Sequence, residues 1–117
     1  MQFLLIISHD QSFRPTDQLV HDVQKWIGRA EALNARRLGK PLRPAGEAKT
    51  IRVRDGLAQV TPGPFSSSAE QMCAFELIEC ASDAEAVELA AAHPMAKVAT
   101  IEVRPVWEQL EGPGRRG

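Results

Sequence analysis

Apolar residues fill both alternating sets of positions in Gln2–Ser8, with Phe3, Leu5 and Ile7 on one side and Leu4 and Ile6 on the other. That pattern predicts a central strand covered on both faces. A polar loop over His9–Pro15 follows. Thr16 is a good N-cap and Asp17 suits the positive end of a helix dipole, so a helix is predicted from about Asp17 to Leu38. Around Val23, at about 100° per residue, Leu19, Trp26, Ile27 and Ala30 share one stripe, with Val20 and Leu33 at its edges. His21, Lys25, Gly28 and Arg29 fall opposite, on the solvent side. Gly39 is expected to close the helix, because a left-handed residue costs glycine nothing.

Pro41, Pro44 and Gly46 leave room only for a short edge strand around Leu42, since proline cannot donate to a ladder. Thr50–Arg54 and Leu57–Thr61 flank Asp55-Gly56, the dipeptide that favours a type I′ turn, and predict a β-hairpin. Pro62–Phe65 makes a rigid turn, Ser66–Gln71 a loop or a short helical turn, and Met72–Glu79 a second central strand. Ser82-Asp-Ala-Glu85 reads as a capping box opening a helix that runs to about Ala92, where His93-Pro94 ends it. Lys97–Val106 is the last predicted strand, with Ile101 and Val103 alternating with Thr100, Glu102 and Arg104. The polar, Gly- and Pro-rich stretch Glu111–Gly117 is expected to be disordered, leaving one domain over residues 1–110.

The order predicts an α+β fold, a ferredoxin-like β-α-β-β-α-β sheet with an inserted β-hairpin and both helices on one face. Two helices protect one face only. Leu4 and Ile6 point to the other, so a second subunit packed sheet against sheet is expected to cover them. A homodimer follows as the expected assembly.

Composition narrows the function classes. The 117 residues suit one modest core, and 14 Lys and Arg against 15 Asp and Glu give a net charge of −1. No basic stripe offers itself to nucleic acid. The early apolar run Phe3–Ile7 is far too short to span a bilayer and lacks a signal-peptide setting, so no membrane association and a cytoplasmic location are expected. Cys73 and Cys80 stand seven apart around one predicted strand, on opposite faces if it is continuous, and read as reduced thiols.

Several pieces in their order resemble the YCII-related family, in particular its DGPF-type members. These are Phe3–Ile7, the helix carrying Gln24–Ile27, the exit over Gly39–Gly46, the hairpin followed by Thr61-Pro-Gly-Pro-Phe65, Asp83–Ala90, His93-Pro94 and Ile101–Pro105. The resemblance covers nearly the whole chain and implies a dimeric α/β barrel. It also implies an accessory regulatory role, since members are often encoded near sigma factors of the extracytoplasmic type. Three positions depart from the family pattern. Pro62 replaces an acid before Gly-Pro-Phe, Ala69-Glu70 replaces Lys-Glu, and Cys73-Ala-Phe75 replaces Gly-Gly-Tyr. A histidine–aspartate pair attributed to some members is not carried over, because His93 occupies the place of the aspartate and His21 does not fall where its partner would be.

The candidate pocket is Glu76, Glu102, Arg104, His9 and Phe65. Glu76 in a central strand, with Glu102 and Arg104 in the last, is expected to reach the partner-covered face beside Leu4 and Ile6, where excluded water strengthens polar contacts. The competing reading is an ion pair between strands or subunits. His9-Asp10 lies just past the carboxyl end of the first strand, a frequent place for functional loops. His93 is expected to serve the helix C-terminus, Trp26 to pack and Trp107 to help cover the interface. Three histidines and two cysteines show no metal-ligand spacing, Ser66–Ser68 has no nearby base in sequence, and phosphate and dinucleotide fingerprints are missing. No cofactor and no metal are therefore expected. These residues suit a dimeric domain that binds a small polar or anionic molecule, or serves as a regulatory accessory. The alternatives are a cofactor-free lyase or isomerase of a small organic acid, with Glu76 or Glu102 as base and Arg104 holding the anion, and a purely structural interaction module.

Overall fold

The computed structural model describes residues 1–110, so the disorder expected over 111–117 lies outside the described residues. Strand β1 (Gln2–His9) alternates strictly, with Phe3, Leu5 and Ile7 fully buried and Leu4 and Ile6 half-buried. Helix α1 (Asp17–Ala32) opens as expected: Thr16 is extended and its hydroxyl accepts from the Leu19 amide at 3.0 Å. Trp26 and Ala30 are its buried residues, while Val20 and Leu33 at the edges of the stripe stay exposed.

The helix stops six residues before the predicted end. Asn34, not Gly39, takes the left-handed position, with φ +57. The Asn34 amide donates to Glu31 O and that of Ala35 to Ala30 O, the paired bonds of a Schellman stop. Asparagine tolerates that conformation better than other residues with a Cβ, which is the signal a search for glycine passes over. The chain freed by the early stop forms edge strand β2 (Arg36–Pro41), upstream of the strand expected around Leu42.

The hairpin is as predicted. Strands β3 (Lys49–Arg54) and β4 (Leu57–Pro62) pair antiparallel across Asp55 and Gly56, whose φ values of 52 and 76 are both positive, as a type I′ turn requires. Strand β5 (Gln71–Glu79) follows, then α2 (Asp83–Ala91). Ser82 Oγ accepts from the Glu85 amide at 3.2 Å, and Glu85 reaches back to the Ala81 amide at 2.9 Å, one residue beyond the expected reciprocal bond. Pro94 leads into a short helix, α3 (Met95–Val98), so the last strand, β6 (Thr100–Pro105), starts three residues later than predicted.

The fold is α+β with a four-stranded antiparallel sheet ordered β2-β5-β1-β6 and a separate two-stranded β3-β4 ribbon. Phe3, Leu5 and Ile78 form the core with Trp26 and Ala30 of α1 and Ala86, Leu89 and Ala90 of α2. Both helices therefore lie on one face. Cross-strand partners share a face, so Phe3/Ile78/Pro105, Leu5/Glu76/Val103 and Ile7/Ala74/Ile101 point towards the helices. Two rows cross the middle of the other face, Leu38–Leu77–Leu4–Arg104 and Lys40–Phe75–Ile6–Glu102. Beyond Ile7 the β1-β5 register shifts: Ile7 pairs with Ala74 but Ser8 with Met72, leaving Cys73 as the extra residue of a bulge.

Candidate functional site

Antiparallel pairing brings the carboxyl ends of β1 and β2 beside the amino end of β5, with His9 directly opposite Gln71. That rim of the sheet encloses a hollow of about 990 Å³, bounded by residues 9–12, 42–46, 66–69 and 71–73 together with Pro64. A single strand end offers little chemistry, whereas several loops gathered on one rim make a concave surface, the usual setting of functional loops on rigid sheets.

The first wall is held tightly. Asp10 accepts from the amide and the hydroxyl of Ser12, hydrogen bonds that hold its carboxyl below the ordinary range. The Asp10 carbonyl accepts from the Phe13 amide at 3.3 Å and lies 2.8 Å from His9 Nδ1, while the His9 and Phe13 rings stack at 4.5 Å. A carbonyl oxygen only accepts, so Nδ1 carries a proton and Nε2 bears the lone pair of the neutral ring. The loop thus fixes a tautomer as well as a position.

On the facing wall, the amide group of Gln71 donates to the carbonyls of Ser66 and Ser68, at 2.8 and 2.9 Å. Ser66 and Ser68 hydroxyls accept from the amides of Ser68 and Glu70. These serines shape the loop. Arg43 brings a cation to the hollow, held by Glu47 through bonds of 2.7 and 3.2 Å. Cys73 lines it too, and burial pushes its thiol up, away from the reactive thiolate. Cys80 lies beyond the end of β5 and packs against the core; both cysteines are free thiols.

The sequence-predicted residues do not gather. Of the five, His9 alone lines the hollow; Phe65 is 79% exposed and borders smaller depressions at the base of the hairpin. Glu102 and Arg104 pair at 3.4 Å on the open face, both well exposed. Glu76 is on the opposite face, beneath the helices, because its cross-strand neighbour is Leu5 and not Ile6. The expected triad of Glu76, Glu102 and Arg104 is therefore not formed.

Glu76 has its own partner, which the sequence reading did not identify. Arg36 Nε donates to Glu76 Oε2 at 2.7 Å, and the same guanidinium donates to Gly39 O at 3.1 Å and lies 3.4 Å from Glu31. Burial pushes the Glu76 carboxyl up against the pull of Arg36, while the hydrogen bond that Arg36 donates to Glu76 raises the guanidinium further. Arginine keeps its proton, so the guanidinium draws Glu76 towards its charged form while burial opposes it. Gly39 makes this possible: a Cβ there would lie 1.9 Å from Glu76 Oε2. Glycine was needed for room beside a carboxylate, not to end a helix.

His21 is exposed, as expected. His93 is 2% exposed and does not act as a cation at a helix end. Its Nδ1 accepts from the Met95 amide at 3.1 Å, its ring lies 4.5 Å from that of Trp26, and burial lowers its pKa to about 4. Trp26 in turn donates to Leu89 O at 3.0 Å, so this pair joins α1 to the end of α2. Trp107 is 61% exposed. Among the described residues, no three His, Cys, Asp or Glu side chains are grouped to hold a metal ion, and no helix is long and apolar enough to cross a membrane.

Residues 1–109 fit the family described as the YCII-related domain. No curated protein sequence matches the chain.

Proposed function

We propose, for a chain that belongs to the YCII-related domain family, that it is a small-molecule-binding domain taking a small polar or anionic ligand in the hollow at the rim of its sheet. The observation that carries this reading is His9. Its ring is held by a backbone carbonyl and by Phe13, so that Nε2 is an acceptor for a ligand's O–H or N–H, and a cation when protonated. Arg43, paired with Glu47 through Nε and one terminal nitrogen, has its other terminal nitrogen left to donate to a ligand on the same hollow, and about 990 Å³ is ample for a small organic acid.

The strand order, with α1 and α2 on one face and the β3–β4 ribbon inserted, supports a ferredoxin-like arrangement within a single domain over residues 1–110. Gly63-Pro64-Phe65 supports a place beside DGPF-type members, with Pro62 standing where they carry an acid. The open face supports a homodimer closed sheet against sheet, the dimeric α/β barrel, because its Leu38, Leu77, Leu4, Phe75 and Ile6 are uncovered by either helix.

A second reading is favoured by the same tautomer. A lone-pair nitrogen in a pocket is also a general base, so a cofactor-free lyase or isomerase of a small organic acid would use His9 in place of Glu76 or Glu102. One titration addresses both readings. Small mono- and dicarboxylic acids added to the ¹⁵N-labelled protein are expected to shift amides of residues 9–12 and 66–73, and His9→Ala is expected to abolish the shifts. Shifts elsewhere, or none at millimolar concentrations, overturn the binding site; exchange of the acid's carbon-bound proton in D₂O that depends on His9 selects the enzyme.

A further inference from the structure

The β3–β4 ribbon has two unlike faces. Ile51 pairs with Val60 and Val53 with Ala58, which puts these four on one side; Thr50, Arg52 and Arg54 lie on the other with Thr61, Gln59 and Leu57. Among the described residues nothing covers the apolar side, where Ile51, Val53 and Val60 are 66%, 59% and 58% exposed. An isolated two-stranded ribbon is marginal in water and needs a third layer on its apolar face. The type I′ turn at Asp55-Gly56 holds the register, so the four residues are presented as one rigid strip.

We infer that the β3–β4 hairpin is an arm that packs its Ile51/Val53/Ala58/Val60 face onto a second copy of this chain, enlarging a contact between the two open sheets. The inference rests on the dimeric reading above and specifies its anatomy. Three observations select a second copy as the occupant. The chain carries both halves of the contact, an apolar strip on the arm and apolar centres in the two rows of its open sheet face, so a two-fold pair makes each contact twice and closes. Area points the same way. Four strands spaced about 4.8 Å apart and roughly six residues long offer about 400 Å² in plan. That is about half of the roughly 800 Å² a stable interface takes from each partner. The arm's two six-residue strands add about 200 Å² in plan. Charge sets the orientation: Arg52 and Arg54, with Thr50, Gln59 and Thr61, keep most of the arm's other face in water, where Leu57 at the tip is its one large apolar side chain.

The test is sedimentation velocity over a dilution series of three full-length chains. These are the wild type, Ile51→Lys/Val60→Lys, whose sites are exposed so that folding is expected to survive, and Leu38→Lys, which charges the open sheet instead. The wild type is expected to be dimeric at micromolar concentration, and the arm variant to dissociate at about 100-fold higher concentration, as loss of a central apolar contact does. Hydrogen exchange of amides in residues 49–62 is expected to slow as wild-type concentration rises. A dimer that survives the arm variant but not Leu38→Lys, with exchange in the arm independent of concentration, overturns the arm and leaves the sheet contact standing. A monomeric wild type overturns both.

Discussion

Two Glu–Arg pairs sit in one sheet, to either side of β1, and have opposite fates. Glu76 and Arg36 meet at 2.7 Å beneath the helices, where Glu76 is 5% exposed. Glu102 and Arg104 approach to 3.4 Å on the open face, in water. The chemistry is identical, and burial alone separates them. Inside, loss of one partner leaves a stranded charge, so the pair dictates local geometry and even the glycine beside it. Outside, solvent replaces either partner at almost no cost. A carboxylate beside a guanidinium is therefore no sign of a site until its face is known.

The sharpest way to break this comparison is Arg36→Met, which strands Glu76 and is expected to cost about 3–5 kcal/mol in urea unfolding. Adding Glu76→Leu is expected to recover most of that loss; failure to recover would mean that Arg36 acts mainly through Gly39 and Glu31. Acid stability comes next. The His93 pKa of about 4 lies below its ordinary 6.5, so folding favours the neutral ring. Its contribution is complete above about pH 6.5 and is lost as pH falls towards 4, by up to about 3 kcal/mol. Glu76, pushed up by burial, works in the opposite sense. The difference between wild type and His93→Asn, which keeps an acceptor for the Met95 amide, isolates the histidine; parallel stability curves from pH 7 to 4 would exclude it. The smallest effect is expected from Glu102→Gln, under about 0.5 kcal/mol in dilute protein. A loss that grows with protein concentration would show that a second copy covers this pair.

Local signals in the sequence were readable because local physics sets them. Thr16, Ser82 and Asp55-Gly56 act over three or four residues, and each does what its side chain or backbone allows. The end of α1 was misplaced because two residues qualified, Asn34 and Gly39, and the second had an unrelated duty beside Glu76. The faces of β5 were harder still. Met72, Ala74, Glu76 and Ile78 alternate with Cys73, Phe75, Leu77 and Glu79, and both sets are mostly apolar, so nothing in the strand itself says which set the helices cover. Pairing with β1 decides it, and pairing is non-local. Of the site, His9 was legible as a loop residue after the first strand. Its partners at the rim, Gln71, Arg43 and Cys73, come from segments that only the assembled sheet makes neighbours.

The bulge at Cys73 divides β5 into two stretches whose inward and outward alternation is out of step. Residues 74–79 keep the phase that the core demands, and residues 71–72 keep another. Loss of Cys73 would leave Met72 opposite Ser8 and Gln71 opposite His9 and turn β5 into one continuous ladder, without moving Phe75, Glu76 or Ile78. The extra residue therefore acts as a joint: it bends the strand at the rim while the register over the core stays fixed. The wall that carries Gln71 is thus angled towards the hollow independently of the residues beneath the helices.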